Sequence, residues 1–294
     1  MELVPLLSII SVNYNSAEHT IEMVKSARAS QYPNLQIIVV DNASNEEDFQ
    51  KLSVIDDLAV VIRSEENLGF SGGNNIGLRY AQEHGAAYAM LLNNDTIVNP
   101  NTFSDMVACL DKGEADVVSP KILNYYNPKE IGYAGGQLVS YKGAVTLYGI
   151  GQQDVGQYDV PMPVTFASGC CVLASMELWQ KIGFMDEKYF LYFEDTALSA
   201  EFVKLGKRIL YLPQAVVYHK ESVSTQKYSD NYQYYFCRNR LLYISEHIAP
   251  SMRLIAQAYT LLYVLKHFVL GHFALRNIKA AFRDYHRHCF GRRK

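Results

Sequence analysis

Along the first hundred residues, short apolar runs alternate with polar stretches whose apolar positions recur at helical spacing. That arrangement belongs to crossover units on a parallel sheet. LLSIISV (6–12), QIIVV (36–40), LAVVI (58–62) and AAYAMLL (86–92) read as buried strands. Asn15 and Ser16 stand where they cap a helix from about Ala17 to Ser30, with Ile21, Val24 and Ala27 on its apolar side and Tyr32-Pro33 as its stop. A short helix near 46–54 follows the second run, and a glycine-rich turn leads into a helix from about Gly73 to His84. Four strands with three crossovers predict a doubly wound half of the kind that binds nucleotides. From roughly 120 to 165 no period persists, and Tyr, Gly, Asn and Pro suggest loops and short hairpins. Order returns with VTFASGCCVLAS, a helix from Met176 to Ile182, a loop-helix unit around Phe193 to Leu205 and two short strands, RILYL and AVVYH. From Tyr232 onward the period is helical.

Composition narrows the class. The 294 residues are 49% hydrophobic and 19% charged, which supports a sizeable core and excludes disorder, collagen and coiled coil. Five cysteines, Cys109, Cys170, Cys171, Cys237 and Cys289, are an odd count without a CxxC pair, so a disulfide framework is not expected and a reducing compartment fits. The net charge of -3 divides unevenly: residues 251–294 carry nine Lys and Arg against Asp284, for +8, and the rest carries -11. The amino terminus lacks a basic n-region and a cleavage site, so no secretion signal is expected.

Ligands of an open parallel sheet bind beyond the carboxyl ends of its strands, so the residues after each apolar run matter most. They are Asn13-Tyr14-Asn15, Asp41-Asn42-Ala43-Ser44, Arg63 with Glu65, Glu66 and Asn67, and Asn93-Asn94-Asp95. Turn chemistry alone accounts for any one of these groups; their convergence on one edge suggests a site. NLGFSGGNNIG (67–77) places four glycines ahead of or within a helix start, where backbone amides approach a phosphate or sugar closely. No GxGxxG follows a strand and no GxxxxGK[ST] occurs, which removes the main support for dinucleotide and P-loop readings.

Taken in order, SVNYN, IVVDNAS, NLGFSGGNNIG and LLNNDT resemble the nucleotide-sugar half of family 2 glycosyltransferases with the GT-A fold. FASGCCVLASMELWQKIGFMDEKYFLYFEDTALSAEF and GKRILYLPQAVVYHKESVS resemble the acceptor half, most closely in the bacterial rhamnosyltransferase-like branch, with a weaker echo at CRNRLL (237–242). The resemblance implies an α/β GT-A fold, a Rossmann-like and mostly parallel central sheet with helices on both faces, over residues 1–230 (nucleotide-sugar half about 1–118, acceptor half 119–230). A basic, aromatic helical region at 231–294 would be appended to it.

Carried over residue by residue, the resemblance makes Asp41 the acid that meets the base, with Asn42 and Ser44 beside it. Asn67 and Gly69 would line the nucleotide. Asn13, Asn15, Asn93 and Asn94 would complete the donor site, and Asp95 with His219 would hold Mg or Mn against the diphosphate. Asp195 would be the catalytic base, with Glu194 as the fallback. One further carboxylate suffices for inversion, because it needs only to take the acceptor hydroxyl's proton. Acids at Glu194 and Asp195 also suit a helix start for reasons of dipole alone. Two departures bear on the base: where the family has another acid and later an arginine, this chain has Ala197 and Glu201.

KYSDNYQYYFCRNRLLY (227–243) sets aromatics beside Arg238 and Arg240, either to stack acceptor sugars and meet phosphate or as helix core. Residues 254–275 are apolar but interrupted by Gln257, Lys266, His267 and His272, so they suit an interfacial helix beside a polybasic anchor better than a span. Packing of the same helix on the body is the alternative, and the acidic body argues against nucleic acid. The expectation is an inverting glycosyltransferase at the inner face of the bacterial membrane, in surface polysaccharide synthesis. It would use a nucleoside-diphosphate sugar, dTDP-rhamnose first, and a glycan or lipid-linked acceptor. A sugar nucleotidyltransferase and a noncatalytic sugar-nucleotide-binding protein are the alternatives.

Overall fold

A computed structural model describes residues 4–220 and 228–293, so the last residues of the second-half motif (221–224) and Lys227 lie outside the described residues. The chain runs β1 (Leu7–Asn13), α1 (Ala17–Arg28), β2 (Leu35–Asp41), α2 (Glu46–Lys51), β3 (Val60–Arg63), α3 (Gly69–Glu83) and β4 (Tyr88–Leu92). These four strands lie parallel in the order β3-β2-β1-β4, the predicted crossovers realised. Alternation along β1 decides the layering: Leu7 and Ile9 pack with Ala17, Met23 and Val24 of α1, while Ile10 packs with Leu78 and Ala81 of α3 on the opposite face.

Next come β5 (Thr96–Val98), α4 (Thr102–Asp111), β6 (Val117–Asn124), β7 (Ile131–Tyr133), β8 (Gly136–Val139), β9 (Ala144–Leu147) and β10 (Met162–Val164). Then follow β11 (Cys171–Ser175), α5 (Met176–Ile182), α6 (Glu194–Lys204) and β12 (Ile209–His219). β11 is antiparallel to both β4 and β6, and so joins the two parts of the sequence into one sheet, with β12 parallel to β6 beyond it.

Several expectations about local structure change. The helix expected from Gly73 begins at Gly69, and all four glycines of 67–77 lie within it. A Cβ at Gly73 or Gly77 would come within 3.0 Å of Val12 or 2.4 Å of Ile10, so these glycines let α3 settle onto β1. The two short strands near 209–219 are one strand, β12, whose register shifts between Leu212 and Val216. Residues 120–165 hold the end of β6 and the β8–β9 hairpin, and α4 precedes them unannounced. Ser16 is the N-cap of α1, yet its hydroxyl makes no capping bond. The Asp48 carboxylate instead accepts from the backbone N–H of Ser16 (3.1 Å) and Ala17 (3.0 Å).

The C-terminal region is three helices: α7 (Asp230–His247), α8 (Pro250–Val269) and α9 (Leu275–His286). α7 is buried nearly all round, because Leu242 and Tyr243 pack with Ala197 and Ala200 of α6 while Tyr234 and Cys237 pack with Val264 of α8 and Ala281 of α9. α8 buries only Ala256, Thr260 and Val264; its other face leaves Leu254, Leu261, Leu262, Leu265 and Val269 exposed.

Candidate active site

Three of the four strand ends build one polar edge. Register pairs Asn13 with Asp41 and Asp41 with Arg63. The buried Asn13 amide donates to Asp41 (2.9 Å), Ser44 (3.1 Å) and Asp48 (3.0 Å), and Asn15 N–H donates to the same Ser44 hydroxyl (2.8 Å). Asp41 also accepts from Ser44 N–H (3.2 Å) and faces Arg63 at 3.8 Å, so its orientation is held from three sides. Asn42 ties β2 to α3: its amide oxygen accepts from Leu68 N–H (2.9 Å), while its NH2 donates to Gly69 O (2.9 Å) and Asn67 (3.2 Å). Gly69 has φ +73°, and a Cβ there would lie 2.2 Å from the carbonyl oxygen of Phe190, so close approach by the later part of the chain demands glycine.

Beyond β4, Asn94 donates to Thr20 (2.9 Å), whose hydroxyl donates in turn to Asn13 (2.8 Å), which links the fourth strand end to the first. Asp95 is buried and lies 3.0 Å from His219 Nε2, with the Asn93 amide 3.5 Å from the same nitrogen. Pairing of β5 with β12 makes this contact, for Thr96 and His219 are in register. Burial opposes the charged imidazolium, but the Cys170 sulfur and the Asp95 carboxylate outweigh it and hold the His219 pKa well above its ordinary value. Once the imidazole gives up that proton, one carboxylate and one imidazole fit a divalent cation that takes its remaining ligands from phosphate and water. Among the described residues no group of three or more His, Cys, Asp and Glu stands together, so the protein alone does not enclose an ion.

Glu194 and Asp195 open α6 after a strained turn: Tyr192 and Phe193 have φ of +65° and +71°, which bulky residues rarely adopt. Asn239 of α7 restrains that turn by donating to the carbonyls of Leu191 and Tyr192, both at 2.9 Å. The two carboxyls differ. Asp195 accepts from Thr196 Oγ1 (3.2 Å) and Gly169 N–H (3.5 Å), whereas Glu194 Oε2 is buried and, among the described residues, has no hydrogen-bond partner. Burial, and then the neighbouring Asp195, push Glu194 up to about 8; burial also raises Asp195, against its hydrogen bonds. Of the two, Glu194 is thereby the better holder of a proton, and Asp195, with donors around it, the better holder of charge. A cavity of about 90 Å³ touches both sides: its wall includes His219, the partner of Asp95, and Ser168 and Cys170, which flank Gly169.

The remaining candidates sort by position. Ala197 is core packing, and Glu201 pairs with Lys204 (3.2 Å) and faces His247 (3.5 Å). Arg238 is spent on the carbonyls of Lys188 and Cys289 (3.4 Å each) and on Tyr234. All five cysteines are free, with Cys171 Sγ against Met90 in the core. Thr20, Asp48, Gly169, Thr196 and Asn239 escaped the sequence reading; only Asp48, three residues past Asn45 at a helix start, carried a local signal.

A sequence model described as Glycosyl transferase family 2 matches residues 8–183. The chain is similar to "Low-salt glycan biosynthesis hexosyltransferase Agl10" of Haloferax volcanii, 29% identical over 80% of this chain and 74% of that protein. It is also similar to "dTDP-rhamnosyl transferase RfbF" of Shigella flexneri, 26% identical over 74% of each. Among solved structures, "Mannosyltransferase PcManGT from Pyrobaculum calidifontis in complex with GDP-Man and Mn2+" superposes with a TM-score of 0.60 at 16% identity, covering 97% of this chain and 76% of that one. The fold is GT-A, as the motifs implied.

Proposed function

We propose, from the premise that this chain belongs to glycosyl transferase family 2, that it transfers a hexose with inversion to a hydroxyl of a glycan or lipid-linked acceptor in bacterial surface polysaccharide synthesis. The enzyme is a glycosyltransferase acting on nucleotide sugars. Its donor is dTDP-rhamnose, a choice supported by the name of the Shigella relative. The observation that carries the reading is the Asp95–His219 pair beyond the strand ends, on a small cavity walled by His219 and by Ser168 and Cys170, the neighbours of the Gly169 whose N–H reaches Asp195.

In this reading Asp41, Asn42, Ser44 and Asn67 hold the base and ribose end of the donor, and Asn13, Asn15, Asn93 and Asn94 orient the rest. Asp95 and His219 would hold a divalent cation, which would supply positive charge against the departing diphosphate, a use to which the Mn2+ of the mannosyltransferase lends support. Asp195 takes the acceptor hydroxyl's proton as its oxygen bonds the anomeric carbon. The bond from that carbon to the diphosphate breaks, and its electron pair leaves with the nucleotide. Glu194, the more readily protonated of the two, favours negative charge on the carboxylate with donors around it.

The halves at 1–118 and 119–230 divide these duties, donor and acceptor respectively. No helix of the described residues is long and apolar enough to cross a membrane. The exposed apolar face of α8 and the cations of the tail, Lys266, Arg276, Lys279, Arg283 and Arg287 against Asp284, suit peripheral contact with anionic lipid at the cytoplasmic face. Calorimetry against UDP-, dTDP- and GDP-sugars, with and without Mn, tests the class: selective, metal-enhanced binding of one donor is expected, and hydrolysis or transfer of that donor separates an enzyme from a binding protein. A protein that binds none of them refutes the reading.

A further inference from the structure

A second, larger cavity of about 390 Å³ opens beside the base, with Thr196, the hydrogen-bond partner of Asp195, in its wall. Its lining is mostly aromatic, with Ala144 and Val145 between, and carries two cations, Lys142 and Arg240. Arg240 is only 2% exposed, and its guanidinium lies 5.5 Å from the Phe236 ring, 5.6 Å from Tyr259 and 5.1 Å from Tyr263. Among the described residues its hydrogen bonding is incomplete: one NH2 donates to Lys142 O (2.6 Å), Nε is buried with no partner, and no carboxylate comes within ion-pair distance. Ring faces and one carbonyl do not repay the desolvation of a cation, so removal from water leaves a charge that an entering anion would satisfy. Arg238, two residues earlier on the same helix, shows the contrast: its guanidinium is saturated by carbonyls and a tyrosine hydroxyl.

We propose that this cavity is an acceptor subsite in which Arg240, assisted by Lys142, binds the phosphate or diphosphate of an acceptor whose sugar reaches Asp195. A planar fork with a free N–H matches phosphate oxygens, and tyrosine faces accept the sugar between phosphate and base. Tyr259 and Tyr263 come from α8, the helix whose opposite face is apolar and exposed, so the cavity stands next to the surface proposed to meet lipid. A lipid-linked diphosphate is the source this placement favours. The proposal rests on the reading of Asp195 as base.

The test is calorimetric, on the full chain in EDTA so that metal-dependent binding at the donor site is suppressed. The probes are farnesyl diphosphate, inorganic diphosphate and farnesol. Both diphosphates are expected to bind the wild type and to lose at least tenfold in affinity in Arg240→Gln, with farnesol weak and unchanged. Because Arg240 is buried, Lys142→Ala, at the half-exposed rim, serves as a second variant and should weaken the diphosphates severalfold at an unchanged melting temperature. Tighter binding of farnesyl than of inorganic diphosphate identifies the lipid-linked source; equal binding identifies a water-soluble phosphorylated acceptor. Diphosphates that bind both variants as they bind the wild type, or that do not bind the wild type, overturn the proposal. Asp195→Asn is expected to bind both probes normally, so a failure of the base reading shows as retained turnover in that variant and is distinct from a failure at Arg240.

Discussion

Replacing Glu194 by Gln isolates the claim that the buried pair carries one proton and one charge. Unfolded, Glu194 titrates near 4.5; folded, it is pushed up to about 8 by burial and by Asp195. A folded pKa above the unfolded one means the native state binds the extra proton throughout that window, so the group's contribution to stability is fully present below pH 4.5 and is lost as pH rises through 8. At about 1.4 kcal/mol per pH unit, the wild type should lose roughly 2–3 kcal/mol from this group between pH 6 and pH 9, because its folded titration ends near 8. Gln has the shape of the protonated acid and no titration, so Glu194→Gln should be close to the wild type at pH 6 and gain that amount on it by pH 9. Urea unfolding at four pH values reads the difference directly. Turnover supplies the second arm: at pH 7 Glu194→Gln should stay within a few-fold of the wild type, while Asp195→Asn should fall by about 10²–10⁴ with donor affinity kept. Parallel stability curves, or loss of turnover in Glu194→Gln with retention in Asp195→Asn, would refute the assignment of proton and charge.

Asp95→Ala removes the only carboxylate of the Asn93-Asn94-Asp95 element, and calorimetry should show the enhancement of donor binding by Mn abolished; an undiminished metal effect would place the ion elsewhere. Gly77→Ala puts a methyl 2.4 Å from Ile10 Cγ2 in the seam between α3 and β1, and should cost about 1–3 kcal/mol in urea unfolding, with no cost ruling out the close packing described. Leu262→Glu with Leu265→Glu places two charges on the exposed face of α8, and should release the protein from vesicles containing an anionic phospholipid at an unchanged melting temperature. Cosedimentation that survives the substitution would remove α8 from the membrane contact.

The parts of this molecule legible in its sequence are those whose cause is local. The strands at 7–13, 35–41 and 88–92 announce themselves because burial on both faces demands continuous apolar runs, and Asp41 and Asp95 stand where such strands must end. Glycine misled at 69–77: four such residues look like a turn, but here they thin a helix so that it lies against Val12, Ile10 and Phe190, a requirement set by neighbours rather than by the segment itself. RILYL and AVVYH read as two strands and are one, with Pro213 lying in the register shift between Leu212 and Val216 of β12.

The same division runs through the site. Adjacent acids at 194 and 195 were visible as a pair, and nothing in the pair distinguishes its members, since both sit in a helix's first turn with the same dipole. The distinction is made by residues distant in sequence: Gly169 N–H reaches Asp195, no donor reaches Glu194 Oε2, and Asn239 holds the left-handed turn that aims both. Arg238 and Arg240, two positions apart in one helix, divide in the same way into a saturated structural cation and one still short of a partner. Identity of residue type nominates a site, and the count of donors and acceptors left over after folding decides which of the nominated groups is kept available for a ligand.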